Sequence, residues 1–221
     1  MKFDLYVVTD ETVSGGRSHG EIARLAVAGG ADVIQLRDKV RSCSELVRIG
    51  REIGVITRGA GAGFIVNDRL DVALSCGADG VHLGQDDVTC GVARQIAPPG
   101  FVIGVSVGSV AEARDAEREG ADYIALSPVF ATDSKHNAGP GHGLSLLREI
   151  RASVSIPVIA IGGIGPGNAG EIIDAGAEGI AVISAVVGAP DITKAARMMA
   201  AVVSERKAVQ KNRLRHIHEQ S

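Results

Sequence analysis

The chain has little of what nucleic-acid binding or membrane insertion requires. It contains no tryptophan, and aromatic residues make up only 3% of its 221 residues, too few to provide stacking platforms for bases. Its formal net charge of -3 gives no general attraction to a polyanion. No apolar stretch approaches the roughly 20 residues that a membrane-spanning helix needs. We therefore expect neither a nucleic-acid partner nor a membrane partner.

The cysteines are few and indicate a reducing compartment. Cys43, Cys76 and Cys90 are odd in number and lack the paired spacing of a disulfide framework or a zinc site. The first five residues lead directly into a strand pattern and do not resemble an export signal. The sequence therefore predicts a soluble, cytoplasmic protein.

Short runs rich in Val, Ile and Leu alternate with longer stretches rich in Ala, Glu and Arg. This alternation is typical of parallel strands that are buried on both faces and covered by helices. Eight runs are predicted as strands: residues 5–9, 33–37, 64–67, 80–83, 102–106, 123–127, 157–161 and 179–184. Eight βα units in a chain of this length predict an α/β fold, a single (β/α)8 TIM barrel over residues 1–203. Residues 204–221 are polar and basic, and a C-terminal helix or tail is predicted there.

An internal repeat supports the number of strands. A Gly-Ala-Asp or Gly-Ala-Glu tripeptide precedes each even-numbered predicted strand, at residues 30–32, 77–79, 120–122 and 176–178. Because glycine suits the left-handed C-cap of a helix, the repeat belongs to turns at the bottom of the barrel, where it concerns stability. The alternative fold, a doubly wound open sheet, usually has a glycine-rich fingerprint after its first strand, and residues 8–11 do not provide one.

Two aspartates, Asp68 and Asp87, follow neighbouring predicted strands. Asp68 comes directly after Asn67 at the end of the third strand, and Asp87 follows the fourth. Because neighbouring strands lie about 5 Å apart, one carboxylate from each could share a cation. An oxygen-only set without a His or Cys cluster suits Mg²⁺, which is the cofactor that we expect. The alternative is that these residues are ordinary turn and helix-cap residues.

Gln35 and Arg37 share one face of the second strand, and this face is predicted to point into the barrel. The apolar residues beside them occupy the other face, which suits contact with helices. An arginine inside a barrel needs an anionic partner. That partner is either a bound anion, which Lys39 could also reach, or a strand-end carboxylate such as Asp68.

Residues that suit phosphate binding follow the later strands. They are Ser106 after the fifth strand, Thr132, Ser134 and Lys135 in a long connection after the sixth, Gly163 after the seventh, and Ile183 and Ser184 at the eighth. Backbone N–H groups after the last two strands form the common phosphate site of such barrels. The alternative for the long connection is a flexible surface loop. His82 and His142 stand alone, and we leave both out of the predicted site because single histidines are more often structural.

Taken together, these motifs resemble the thiamine phosphate synthase family. The resemblance rests on residues 35–39, 65–68, 82–87, 104–106, 132–135, 161–164 and 182–184, in this order across seven strand ends. It implies the barrel fold and a transferase with two small-molecule substrates. A pyrimidine diphosphate would be joined to a thiazole phosphate, with release of pyrophosphate.

The resemblance also implies roles for single residues. Asp68 and Asp87 would bind Mg²⁺ on the diphosphate. The residues that would hold the pyrimidine diphosphate or the leaving pyrophosphate are Gln35, Arg37, Lys39, Asn67, Ser106 and Lys135. Those that would bind the thiazole phosphate are Thr132, Ser134, Gly163, Ile183 and Ser184. The catalytic residues implied are Lys39, Ser106 and Lys135.

Two other functions stay open at this point. Residues 136–143 lack the usual loop pattern of the synthases and are closer to the thiazole tautomerases, which share the barrel but not the full magnesium and diphosphate set. A tautomerase would also call for a catalytic histidine where Ser127 stands. The other alternative is a non-catalytic, regulatory phosphate-binding barrel. The sequence leaves homo-oligomer formation open.

Overall fold

Eight parallel strands, neighbours in chain order, form a closed barrel in the computed structural model. The structure describes residues 1–132 and 141–218, with side chains up to residue 212. The strands are β1 (Leu5–Val8), β2 (Val33–Leu36), β3 (Gly63–Asn67), β4 (Gly80–Leu83), β5 (Val102–Val107), β6 (Tyr123–Leu126), β7 (Val158–Ile161) and β8 (Gly179–Val182). The helices are α1 (His19–Ala28), α2 (Cys43–Ala60), α3 (Leu70–Cys76), α4 (Cys90–Ile96), α5 (Val110–Arg118), α6 (Gly143–Ser153), α7 (Ala169–Asp174), α8 (Ser184–Val187) and α9 (Ile192–His218). The predicted (β/α)8 barrel is confirmed.

Buried side chains pack in two separate clusters, one outside the barrel wall and one inside. The larger cluster lies between strands and helices and includes Ile34 and Leu36. The smaller cluster fills the interior and includes Tyr6 and Tyr123. Gln35, between the two outward-facing residues of β2, is 5% exposed and contacts Tyr6 inside the barrel. The alternation predicted for β2 therefore places its polar face inward.

The predicted strands differ from the observed ones mainly at the barrel mouth. Thr9, Arg37 and Ser127 are predicted as strand residues, but their strands end one residue earlier. Ser184 is predicted at the end of β8, and this is wrong because it begins α8. Thr9 and Ser127 still donate backbone hydrogen bonds to the neighbouring strands, at 2.9 Å to the Gln35 carbonyl and 3.2 Å to the Val107 carbonyl, so backbone contact continues by one residue beyond these two strands.

The Gly-Ala-Asp repeat lies in the turns before the even strands, as predicted. Its glycines have φ values of 97°, 72°, 95° and 101°, in the region that favours glycine. Each of its three aspartates accepts a hydrogen bond from a backbone N–H group of the preceding odd strand. These bonds join Asp32 to Leu5 at 3.0 Å, Asp79 to Phe64 at 2.8 Å and Asp122 to Ile103 at 2.7 Å. The repeat therefore ties neighbouring strands together at the bottom of the barrel.

The polar segment predicted at residues 204–221 begins inside α9. Lys207 Nζ lies 2.6 Å from Asp4 Oδ1 and 2.7 Å from Glu178 Oε1. The beginning of the segment therefore packs against the barrel, and the division of the chain at residue 203 stays a prediction. Within the described residues, no helix, α9 included, combines the length and the apolar character that crossing a membrane requires.

Candidate active site

Three adjoining pockets that share lining residues form a cleft across the C-terminal end of the barrel, and all predicted site residues that the structure describes line it. We call its three parts the carboxylate end, the floor and the glycine end. The carboxylate end is lined by Arg37, Lys39, Asn67, Asp68, Asp87 and Ser106. The floor is lined by Tyr6, Gln35, His82, Tyr123 and Ile183, and the glycine end by Thr132, Gly162, Gly163, Ile183 and Ser184. Ser134 and Lys135 lie outside the described residues.

Asp68 and Asp87 lie next to each other at the carboxylate end. Lys39 forms an ion pair with Asp68, and the Gly84 N–H donates a 2.7 Å hydrogen bond to Asp87 Oδ2. Burial raises the pKa of Asp87, the bond from Gly84 opposes this rise, and the neighbouring Asp68 carboxyl adds to it. A cation between the two carboxylates would remove their mutual repulsion.

The donor set at this end fits Mg²⁺. It has two carboxylates, and nowhere in residues 1–132 or 141–212 do three or more His, Cys, Asp or Glu side chains form a metal-binding group. Mg²⁺ usually takes one or two protein carboxylates and fills its other positions with water and substrate phosphate. Asp68 also has a φ of 62°, the one positive φ of a non-glycine residue in the described chain. Backbone strain of this kind is concentrated at functional sites.

Arg37 faces the cleft and has a partner within the protein. Its Nη1 donates a 3.0 Å hydrogen bond to Asp10 Oδ2 at the end of β1. The sequence left a bound anion or a carboxylate such as Asp68 open as the partner, but Asp68 is paired with Lys39 instead. Since a guanidinium carries five N–H donors, the pair with Asp10 leaves Arg37 able to bind an anion as well.

The floor holds a series of hydrogen-bonded polar groups, of which sequence reasoning missed Tyr6, His82 and Tyr123. Gln35 Nε2 donates to the Tyr6 hydroxyl at 2.7 Å, and this hydroxyl lies 3.0 Å from that of Tyr123. His82 Nδ1 lies 3.0 Å from the Tyr123 hydroxyl, and Nε2 lies 2.9 Å from Ser106 Oγ. His82, which the sequence left out of the site, therefore lies at its centre.

Strand alternation was the signal that could have found His82 and Tyr123. Both occupy the inward-facing positions of their strands, as Gln35 does in β2. Gly104 in β5 was a second signal, because a glycine within a strand often marks a close approach. A Cβ atom at Gly104 would lie 2.0 Å from Cζ of Tyr123. The glycine therefore makes room for the tyrosine ring.

Two glycines shape the other end of the cleft. Gly162 and Gly163 have φ values of 102° and 64°. A Cβ atom would lie 2.5 Å from Pro128 Cβ at the first position and 2.6 Å from the Ala131 carbonyl oxygen at the second. The connection after β6 therefore lies directly on this pair, which brings Thr132 to the glycine end.

A partly buried polar network supports the loop that carries Lys39. Asp38 accepts backbone hydrogen bonds from Val40 at 2.8 Å and Arg41 at 2.9 Å, and Arg41 Nη1 lies 2.5 Å from its Oδ2. His19 Nε2 lies 3.2 Å from the same oxygen. Burial alone would raise the pKa of Asp38, but these hydrogen bonds hold it well below its usual range. Asp38 therefore stays ionised and fixes the loop.

Comparisons with known proteins identify relatives along most of the chain. The family model described as thiamine monophosphate synthase matches residues 5–186. The thiamine-phosphate synthase of Methanoregula boonei is 64% identical over 197 residues, which cover 89% of this chain and 91% of that protein. That of Methanoculleus marisnigri is 61% identical over 208 residues, or 94% and 99% of the two chains.

A solved structure agrees with these relatives. The thiamine phosphate pyrophosphorylase from Pyrococcus furiosus has a TM-score of 0.85 and 45% identity, and the match covers 92% of this chain and 96% of that one. The resemblance inferred from the motifs is therefore confirmed, and so is the prediction of an enzyme of the transferase class. The chain belongs to the thiamine monophosphate synthase family.

Proposed function

We propose that this protein is a thiamine-phosphate synthase. It condenses 4-amino-2-methyl-5-(diphosphooxymethyl)pyrimidine with thiazole phosphate, or its carboxylated form, to give thiamine phosphate and pyrophosphate. The observation that carries the proposal is that the two ends of the cleft differ in chemical character. Asp68 and Asp87 form one end, and Gly163 and Ser184 line the other. The first suits a metal-bound diphosphate, and the second suits a single phosphate.

The diphosphate binds at the carboxylate end. Asp68 and Asp87 would hold Mg²⁺, which when bound neutralises charge on the diphosphate. Arg37 and Lys39 donate hydrogen bonds to the diphosphate oxygens, and their charges stabilise the pyrophosphate as it leaves. Ser106 lies between this end and the floor. In this proposal Ser106 contacts the oxygen at which the bond breaks.

The pyrimidine ring lies over the floor, and the thiazole phosphate binds at the glycine end. Gln35 and Asn67 line the part of the cleft where a ring attached to the diphosphate would lie. At the glycine end, Thr132, Gly163 and Ser184 surround the phosphate, and Ile183 contributes apolar contact. Ser134 and Lys135 complete the two phosphate sites in this proposal, on the strength of the family motif.

The reaction is a dissociative displacement. The bond between the pyrimidine methylene carbon and the diphosphate oxygen breaks first, and its electron pair leaves with pyrophosphate. The thiazole nitrogen then donates its lone pair to the methylene cation and forms the new C–N bond. Holding both substrates in one cleft places the nitrogen in line with the cation, which removes most of the entropic barrier to the second step.

The experiment is to supply purified protein with the pyrimidine diphosphate, thiazole phosphate and Mg²⁺, and to measure thiamine phosphate with and without EDTA. Product that forms with Mg²⁺ and disappears with EDTA supports the synthase. Folded protein that binds thiazole phosphate but forms no product would reject the proposal in favour of a tautomerase or a non-catalytic barrel.

A further inference from the structure

We infer that the floor of the cleft is a one-directional chain of hydrogen bonds, in which Tyr123 fixes His82 as the neutral tautomer with its proton on Nε2. Tyr123 is then a positioning residue, because it acts on the cleft through His82 and Ser106. The tautomer follows from the geometry of the floor alone. Its consequence for catalysis rests on the proposed function.

The direction of the chain is set at Gln35. An amide nitrogen can only donate, so the Tyr6 oxygen is the acceptor of the 2.7 Å bond from Nε2. The single proton of the Tyr6 hydroxyl is then directed to the Tyr123 oxygen, 3.0 Å away. Tyr6 and Tyr123 are 1% and 0% exposed, so neither hydroxyl can give its proton to bulk water.

The hydroxyl proton of Tyr123 has one remaining acceptor, which is His82 Nδ1. The Tyr123 oxygen already accepts from Tyr6, and its second partner is His82 Nδ1 at 3.0 Å. Burial raises the pKa of both tyrosine hydroxyls, so both keep their protons. Nδ1 therefore accepts a hydrogen bond, and the proton of the neutral imidazole lies on Nε2.

The series of hydrogen bonds ends at Ser106, and it leaves the Ser106 hydroxyl as a hydrogen-bond donor. Nε2 lies 2.9 Å from Ser106 Oγ and donates to it, so the proton of Ser106 is available for another acceptor. In the opposite tautomer, Nε2 would accept the Ser106 proton, and the serine would present only lone pairs to an anion. Tyr123 thus decides whether Ser106 attracts or repels the leaving pyrophosphate.

The Tyr123 ring is held too tightly to turn away from this role. Gly104 leaves the space that the ring fills. The ring centroid lies 4.8 Å from that of Phe3 on one side, and His82 stacks at 5.6 Å with an interplanar angle of 29°. The hydroxyl therefore keeps its position between Tyr6 and His82.

The tautomer can be measured without substrate, by NMR on protein that carries ¹⁵N-labelled histidine, in spectra recorded over a series of rising pH values until the His82 signals stop changing. The His82 signals are assigned by their loss in His82→Gln. We expect Nε2 to carry the proton in the wild type and in Tyr6→Phe, which retains the Tyr123 donor. In Tyr123→Phe we expect the proton to be shared between both nitrogens. The inference would be overturned if Nδ1 of His82 carried the proton in the wild type. It would also be overturned if the His82 signals of Tyr123→Phe showed the same tautomer as those of Tyr6→Phe.

A double-mutant cycle tests the link to catalysis. We expect Tyr123→Phe to lower kcat about tenfold, less than the roughly 10²–10³-fold that follows complete loss of a charge-stabilising donor. In the Ser106→Ala background, the same change should have no further effect, whereas a merely structural role would lower kcat equally in both backgrounds. Because the NMR measurement needs no turnover, a protein without synthase activity can still show the tautomer, so the two proposals can fail separately.

Discussion

Carboxylates at the two ends of the barrel have opposite surroundings. At the bottom, Asp79 accepts a 2.8 Å hydrogen bond from the Phe64 N–H, so the fold itself satisfies the charge. At the top, Asp68 and Asp87 are neighbours, and burial together with this proximity raises the pKa of Asp87. The bottom carboxylate stabilises the protein, whereas the upper pair is where we propose that a cation binds. Whether an aspartate accepts hydrogen bonds from the fold or lies beside another carboxylate therefore says more about its role than its position before or after a strand.

The largest expected effect is at the upper pair. Asp87→Asn keeps the size of the side chain but removes a charge from the proposed metal site, so kcat/KM should fall about 10²–10³-fold. The melting temperature should stay the same or rise, because repulsion with Asp68 is relieved. Asp86→Asn is the matched control, since Asp86 is an exposed neighbour in the same loop, and its rate should stay close to that of the wild type. An Asp87→Asn rate equal to wild type at limiting Mg²⁺ would remove Asp87 from the metal site.

The bottom of the barrel should show the reverse behaviour. Asp79→Ala leaves the Phe64 N–H without its acceptor, which should cost about 1–3 kcal/mol of unfolding free energy. For a chain of this size, each kcal/mol lowers the melting temperature by about 2–4 °C. Asp115→Ala is the control, because Asp115 is exposed and pairs with Arg118 on the surface. The kcat of Asp79→Ala should be unchanged. A kcat that fell with the melting temperature would contradict a purely structural role for Asp79.

Asp38 lies at the top of the barrel, but like the carboxylates at the bottom it accepts hydrogen bonds from backbone N–H groups of the protein itself. In Asp38→Asn the bonds to Arg41 and His19 weaken, and the loop that holds Lys39 loosens. We expect KM for the pyrimidine diphosphate to rise about tenfold, which corresponds to about 1.4 kcal/mol, with little change in kcat. Steady-state kinetics with each substrate varied in turn would measure this. A fall in kcat at constant KM would instead place Asp38 in the chemical step.

The smallest expected effect concerns pH and the pair between Asp4 and Lys207. Burial alone would raise the pKa of Asp4, but hydrogen bonds from Lys207 and Lys2 lower it overall. A lowered carboxyl pKa stabilises the fold above the unfolded value of about 3.9, and this contribution is lost as pH falls through the folded pKa.

Lys207→Met should therefore be less stable than the wild type near neutral pH. The difference in unfolding free energy should shrink as pH falls below about 4. Urea denaturation of both proteins at a series of pH values would measure it. A difference that stayed constant down to the acid limit would show that Lys207 acts through packing rather than through charge.

The barrel and much of the cleft could be predicted from the sequence because both follow local rules. Strand alternation placed Gln35 inside, and the position after a strand placed Asp68 at the mouth. The same alternation could have placed His82 and Tyr123 on the floor, had it been applied to every strand. Solitary histidines are more often structural, and this general rule conceals the place of His82 on the floor.

Other features could not be predicted because they depend on contacts between distant parts of the chain. Arg37 pairs with Asp10, 27 residues away, and no local pattern distinguishes this carboxylate from Asp68. Lys207 reaches Asp4 from the other end of the chain, although its segment has the composition of a solvated tail. Arg37 and Asp10 meet because β1 and β2 pair side by side, and Lys207 reaches Asp4 because α9 packs beside the start of β1.

If the carboxylate end binds a diphosphate through Mg²⁺, then pyrophosphate binding measured by calorimetry should depend both on the metal and on Asp87. We expect tight binding to the wild type and to Asp79→Asn with Mg²⁺, and loss of binding when Mg²⁺ is omitted or Asp87 is changed to Asn. Pyrophosphate binding that is equally strong without Mg²⁺, or unaffected by Asp87→Asn, would contradict it.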